Sequence, residues 1–195
     1  SNLAGDDPSG PDTSCDTCRI TSNQELRDYV DQWITNPSNH PCGTEIGEWE
    51  VGRVTDMSHI FCAHADNPTY CNTIRRDFNA DISKWDTTKV TNMEKIFYFT
   101  DSFTGDCLSS WNTSRVTLLR NSFAFAISFT GHGVSNWDTS MVTLLTSTFY
   151  GASAFNADLS NWDTSRVTSL DHTFAEAGSF AGDGLSNWDT SSVTH

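Results

Sequence analysis

The sequence predicts a repeat solenoid, with parallel β-strands plus short helical or 3₁₀ turns in each coil of ~25 residues and a cap helix at the N-terminal end. Three observations predict it. Tryptophan recurs at Trp49, Trp85, Trp111, Trp137, Trp162 and Trp188, at intervals of 36, 26, 26, 25 and 26 residues. The same apolar columns surround each copy. An aliphatic residue stands three before (Ile46, Ile82, Leu108, Val134, Leu159, Leu185), and a Val five after (Val54, Val90, Val116, Val142, Val167, Val193). Met or Leu follows at eight (Met57, Met93, Leu119, Leu145, Leu170) and Phe at twelve (Phe61, Phe97, Phe123, Phe149, Phe174). A second Phe precedes the next Trp: Phe78, Phe103, Phe129, Phe155, Phe180. Finally, Gly or Asn marks the corner beside that second Phe (Gly105, Gly131, Asn156, Gly182), where the one-residue length changes fall.

Residues 1–14 are acidic, rich in Pro, Gly and Ser and without periodicity, which reads as a flexible tail. Residues 15–44 form the cap. Ser22-Asn23-Gln24-Glu25 is a capping box that opens a helix at about 22–35, with Leu26, Tyr29, Val30, Trp33 and Ile34 on one face and Pro37 beyond its end. Residues 45–195 hold about five coils. Thr87-Thr88-Lys89-Val90-Thr91, rich in Thr and Val, reads as a strand. Met93-Glu94-Lys95-Ile96-Phe97 has the apolar spacing of a short helix or 3₁₀ turn. The first coil carries an insertion at about 62–75. The last repeat stops at Val193-Thr194-His195, on a fresh strand with its later columns unfilled.

The formal charge of −14 and pI near 4.5 argue against nucleic acid or an anionic membrane surface as partner, because the phosphate term would be repulsive. No apolar run approaches the roughly 20 residues of a membrane span. No Gly-x-Ser-x-Gly, phosphate loop or His-Glu-x-x-His is present, so the reading is non-enzymatic.

The stretch Phe155-Asn156-Ala157-Asp158-Leu159-Ser160-Asn161-Trp162-Asp163-Thr164-Ser165-Arg166-Val167-Thr168, followed by Leu170, Phe174, Ala177 and Phe180, resembles the repeat of BspA-like surface proteins, divergent relatives of leucine-rich repeats. The resemblance runs from Glu45 to the C-terminus, and Glu25-Leu26-Arg27 with Trp33 looks like the entry cap of that family. It implies a leucine-rich-repeat-like solenoid and an extracellular adhesive or scaffolding role without catalytic residues.

Six cysteines in a chain read as secreted imply disulfides. The expected bonds run from the Cys15/Cys18 pair to Cys42, through Cys62 or Cys71 to staple the insertion, and from Cys107 to Cys71. A zinc site built from Cys15, Cys18, His40 and Cys42 is the sharper but weaker alternative, since one Cys-x-x-Cys is little signal. His59, His64, His132 and His172 share no column and read as surface histidines.

Asp86, Asp138, Asp163 and Asp189 follow their tryptophans, with Asn112 in the third copy, and Asp81, Asp106, Asp158 and Asp183 recur at the corner. These carboxylates suit either a calcium ladder or a ladder of turn caps, and the caps are favoured because no dense calcium loop is present. Arg53, Lys89, Arg115 and Arg166 share a column that would offset their repulsion. Two threonine columns, Thr87, Thr113, Thr139, Thr164 and Thr190, and Thr55, Thr91, Thr117, Thr143, Thr168 and Thr194, are a candidate binding face. They raise ice binding as a third reading, weakened because paired residues on one strand face lie two apart, about 6.7 Å, not four. Asn112-Thr113-Ser114 is an N-glycosylation sequon.

The function expected from these features is a secreted or cell-surface recognition or adhesion module that binds protein or glycan through the solenoid surface, with calcium as the one cofactor to consider. The alternative is a structural subunit that assembles into an oligomer or filament through its open C-terminal coil.

Overall fold

The computed structural model describes residues 18–195. The expected tail at 1–14 and Cys15 lie outside them. One α-helix, α1 (Asn23–Thr35), opens the described chain. The Ser22 side chain accepts from Glu25 N–H, and Glu25 in turn accepts from Thr21 N–H, so helix entry donors are answered reciprocally. Leu26 and Val30 are sealed against the first repeat, with Tyr29, Trp33 and Ile34 packed beside them. The Asn23 amide donates to the carbonyls of Asp56 and Ser58, covering backbone acceptors that a preceding repeat would otherwise meet.

The parallel-strand, leucine-rich-repeat-like solenoid is not what forms. Among the described residues there is no β-strand, only isolated parallel bridges along Asp56, Asn92, Leu118, Leu144 and Ser169, and one more between Arg19 and Glu50. The segment expected as a strand is a turn: Val90 N–H bonds the Thr87 carbonyl, and the Asp86 carboxylate holds Thr88 N–H at 3.0 Å. Val116, Val142 and Val167 close the same turn in their own repeats. An Asx turn that starts at the residue after Trp bends the chain before it can extend, overriding the β-propensity of Thr and Val.

The segment expected as a helix is a run of turns in which alternate peptide groups point in different directions. Ile96, Tyr98 and Thr100 bond back to Met93, Lys95 and Phe97. The residues between them bond forward: Met93, Lys95, Phe97 and Phe99 N–H reach the carbonyls of Leu118, Arg120, Ser122 and Ala124 in the next repeat. Sending every second donor to a neighbour is incompatible with continuous i→i−4 bonding. It also requires left-handed backbone at Lys95 and Phe99, where φ is 55° and 61°. Short 3₁₀ turns at Thr73–Asp77, Asp106–Ser110, His132–Val134 and Leu185–Asn187 make the corners. Gly131 is needed at one of them: φ is 87°, and a Cβ there would sit 2.4 Å from the Phe155 ring.

The columns read from the sequence are the core. Trp49, Trp85, Trp111, Trp137 and Trp162 are buried with the Val of each repeat, as are the Met or Leu and paired Phe positions of the first four; in the repeat of Trp162, Leu170, Phe174 and Phe180 are partly buried. Phe61, Phe97, Phe123, Phe149 and Phe174 stack at 5.1–5.7 Å from repeat to repeat. Within a repeat the two phenylalanines lie closer, as for Phe97 and Phe103 at 3.8 Å. Each such pair adds about 0.5–1.5 kcal/mol beyond area burial.

Each indole N–H from Trp85 onward donates to the aliphatic carbonyl one repeat earlier: Trp85 to Ile46, Trp111 to Ile82, Trp137 to Leu108, Trp162 to Val134 and Trp188 to Leu159. Trp49 has no earlier repeat. Its buried Nε1 has no partner, and the His40 ring stacks on it at 4.8 Å. Trp137→Phe therefore removes one of the two hydrogen bonds that the Leu108 carbonyl accepts, the Trp111 N–H remaining, while Trp49→Phe removes none. We expect Trp137→Phe to cost about 0.5–1.5 kcal/mol more than Trp49→Phe in denaturant unfolding. Equal losses would show that the indole bonds do not contribute.

Candidate functional site

One of the two threonine columns is buried from Thr87 to Thr164. The hydroxyls of Thr87, Thr113, Thr139 and Thr164 donate to the carbonyls of Asn112, Asp138, Asp163 and Asp189 in the next repeat. Thr91, Thr117, Thr143 and Thr168 donate the other way, to the preceding repeat. These hydroxyls bind repeat to repeat, the second column remaining half-buried to exposed.

The aspartate column caps turns. The Oδ1 atoms of Asp86, Asp138, Asp163 and Asp189 accept the backbone N–H two residues on, and so does Asn112, whose exposed amide oxygen takes Ser114 N–H at 3.1 Å. Asp81 and Asp158 cap Ser83 and Ser160 in the same way. Those bonds hold the carboxyls of Asp81, Asp86, Asp163 and Asp189 below their ordinary range. Asp183 instead lends its carbonyl to Leu159 N–H. Among the described residues, no three His, Cys, Asp or Glu side chains come together in a way that could hold a metal ion.

Cys62 and Cys71 form a disulfide that closes the insertion on itself. The expected Cys107–Cys71 bond is thereby excluded; Cys107 is a thiol whose pKa burial pushes up. Cys18 lies in hydrogen-bonding contact with Cys42, whose thiol burial first, and Cys18 second, push up to about 12. His40 turns its Nδ1 to Cys42 N–H, while its Nε2 is sealed without a partner.

Two surface features emerge that the sequence reading did not single out. The first is a row of half-exposed rings on the outside of the repeats. His64 lies 4.6 Å from Phe99, Phe99 stacks on Phe125 at 4.4 Å, Phe125 meets Tyr150 at 4.8 Å, and Tyr150 faces His172 at 6.2 Å. Tyr98 lies edge-on to Phe99 and carries the Lys95 ammonium over its face. Phe99 and Phe125 hold φ of 61° and 58°, a region costly for bulky side chains. The sequence signal was a broken column: the ring stands thirteen residues after Trp in Tyr98 and Tyr150, and fourteen after in Phe99 and Phe125.

The second feature is a polar cleft of about 490 Å³ between α1 and the disulfide loop, reached by the same His64. Its floor is an ion pair between buried Arg75 and half-buried Asp31. Arg75 donates from Nε and Nη2 to both oxygens of Asp31, at 2.6 and 2.9 Å, and from Nη1 to the carbonyls of His59 and Tyr70. Such bidentate pairing ties the helix to the loop.

His59, expected on the surface, is half-buried behind this cleft. Burial, then the nearby Lys95 and Arg27 charges, lower its pKa to about 4. A folded pKa below the unfolded value near 6.5 means that only the unfolded chain binds the proton between those limits. Stability is then full above pH 6.5 and falls as the pH drops from 6.5 towards 4; the aspartate caps are lost only below their unfolded value of 3.8. We expect Tm to decline across that upper window. His59→Asn, which suits the left-handed backbone (φ 62°), should flatten the decline. A residual slope from His40, also lowered by burial, should remain. An unchanged slope in the variant would remove His59 from the account.

No helix among the described residues is long and apolar enough to cross a membrane. No curated protein and no solved structure matches the chain. The family described as "Mycoplasma protein of unknown function, DUF285" matches it twice, over residues 38–131 and over residues 106–195. With the tryptophan, valine and phenylalanine columns falling inside both matched spans, the chain belongs to the DUF285 family.

Proposed function

We propose that this chain is a non-catalytic recognition or adhesion module of the BspA-like surface-protein type, acting in secreted form or at a cell surface and binding protein or glycan. The observation that carries this reading is the outer aromatic row. Half-exposed rings joined across successive repeats give a linear platform, and aromatic side chains are the favoured anchors of binding surfaces. Two of the anchors are kept as Phe at backbone positions that Gly or Asn would occupy with less strain, and strain of this kind gathers at functional surfaces. The Cys62–Cys71 bond supports an oxidising compartment.

The alternative, a structural subunit, finds support at the far end. In the last repeat, His172, Phe174 and Glu176 N–H have no hydrogen-bond acceptor among the described residues, and Trp188 and Phe180 are only partly covered. A head-to-tail filament would have to seat that edge on a second copy's first repeat, where Asn23 already holds the carbonyls of Asp56 and Ser58. We therefore expect light scattering to give one unchanging molar mass across a concentration series. A mass that climbs with concentration would favour the subunit reading.

The direct test is binding to an array of glycans and extracellular proteins by the chain and by a Phe99→Asn/Phe125→Asn variant. Asn tolerates the left-handed backbone at both sites, so relief of strain offsets part of the ring stacking lost and the variant should still unfold cooperatively. The expected result is loss of the array signal with a cooperative melt retained. A variant that binds as the original chain does would dismiss the aromatic row as the recognition surface.

A further inference from the structure

Arg27 stands out in the cleft beside α1. It is 5 % exposed, yet its one side-chain hydrogen-bond partner among the described residues is the neutral Gln24 amide oxygen. No carboxylate among the described residues lies within ion-pair distance of it, in a chain with 25 acidic residues and 11 basic ones. The neighbouring carboxylates are engaged elsewhere. Asp31 is held by Arg75 and Asn72, and Asp28 accepts from the Gln24 amide nitrogen. Burial, then the Arg75 charge, act against the guanidinium, and Asp28 and Asp56 attract it only from beyond contact distance, so it has no directly bonded counter-charge.

The unbonded nitrogens of Arg27 are largely covered but not sealed. Nε and Nη1 make no hydrogen bond, and the only sealed, unpartnered side-chain polar atoms among the described residues are His40 Nε2 and Trp49 Nε1. The Arg27 nitrogens are therefore open to the cleft that this residue lines. Tyr70, held by the disulfide loop, places its ring over the guanidinium at 5.0 Å, while 47 % of the residue stays exposed. Around them the cleft presents hydroxyl, amide and carboxylate groups from Thr69, Thr73, Asn72 and Asp28. Its volume is within the range of small-ligand sites.

We propose that this cleft is a subsite for an acidic sugar, with the Arg27 guanidinium taking the carboxylate through its free N–H groups. The cation supplies the charge that the ligand must complement, and its planar fork suits a carboxylate. The polar wall favours a ring bearing hydroxyls over an apolar peptide anchor. His64 joins the cleft to the aromatic row, so a chain bound along the rings could end with its acidic residue here. This inference rests on the recognition reading and names its ligand class.

The test is a titration of the whole chain with digalacturonate, read by calorimetry and by the Arg27 Nε–Hε resonance, with neutral galactobiose and tetraglutamate as comparators. We expect digalacturonate to bind and to shift that resonance. Arg27→Gln should weaken it about tenfold or more, the loss of a charge-assisted hydrogen bond, and leave galactobiose unaffected. An unmoved resonance at saturating digalacturonate, or equal affinity in Arg27→Gln, would overturn the proposal. Equal binding of tetraglutamate would overturn it in favour of a peptide site. If Arg27→Gln does not fold, the resonance in the unaltered chain decides alone. Digalacturonate binding that persists in Phe99→Asn/Phe125→Asn supports the cleft even where array binding fails. Array binding that depends on the rings but not on Arg27 overturns the cleft and leaves the recognition reading intact.

Discussion

Alternate peptide groups in each repeat leave their own segment and bond the next one. From Met93 to Phe99, every second N–H goes forward and the intervening ones close local turns, and the same alternation recurs from Leu119 to Phe125 and from Leu145 to Gly151. This constraint sets the spacing between repeats, and the spacing sets the rest. Phenylalanine rings a repeat apart come within stacking distance, indole N–H groups reach back to the earlier carbonyl, and threonine hydroxyls find acceptors on either side. The backbone must turn left-handed twice per repeat to allow it, and one of those turns carries Phe99 and Phe125 outward. The candidate binding surface is thus a by-product of how the repeats are bonded.

Much of the interior was legible in the sequence because burial acts on residue type at fixed spacing. The Trp, Val and Phe columns needed only counting. The secondary structure was not legible in the same way. Thr87 and Val90 have the chemistry of a strand, but Asp86 stands where its carboxylate can cap Thr88, and that local bond decides the conformation. The signal, an Asp or Asn two residues before a Ser or Thr, was present and was read as a cap without drawing its consequence for the strand. The helix-like spacing of Met93, Ile96 and Phe97 marks burial faithfully; what it cannot show is that half the donors are committed to another repeat.

The surface was less legible for a different reason. The aromatic row alternates between two offsets from Trp, so it fails as a column although its rings touch in space. The Arg27 cleft joins residues of α1 to a loop some forty positions away, and nothing in local pattern reports that Asp31 pairs with Arg75 and leaves Arg27 alone. Cysteine counting found the loop but not its closure: Cys62 and Cys71 bond each other, nine residues apart, which fixes the roof of the cleft without tying repeats together.

The forward bonds have an electrostatic consequence. A peptide group that accepts on its oxygen and donates from its nitrogen along one line adds its dipole to the next, as in a helix. The line through Phe61, Phe97, Phe123, Phe149 and Phe174 is such a chain, and its neighbours run in the same sense. Bonds such as Thr117 to Thr91 and Ser128 to Asp101 run against it and cancel part of the sum. What is left gives an acidic molecule a polarity: oxygen-rich at the edge covered by Asn23, nitrogen-rich at the edge around Phe174. Two copies approaching through their nitrogen-rich edges would meet like poles.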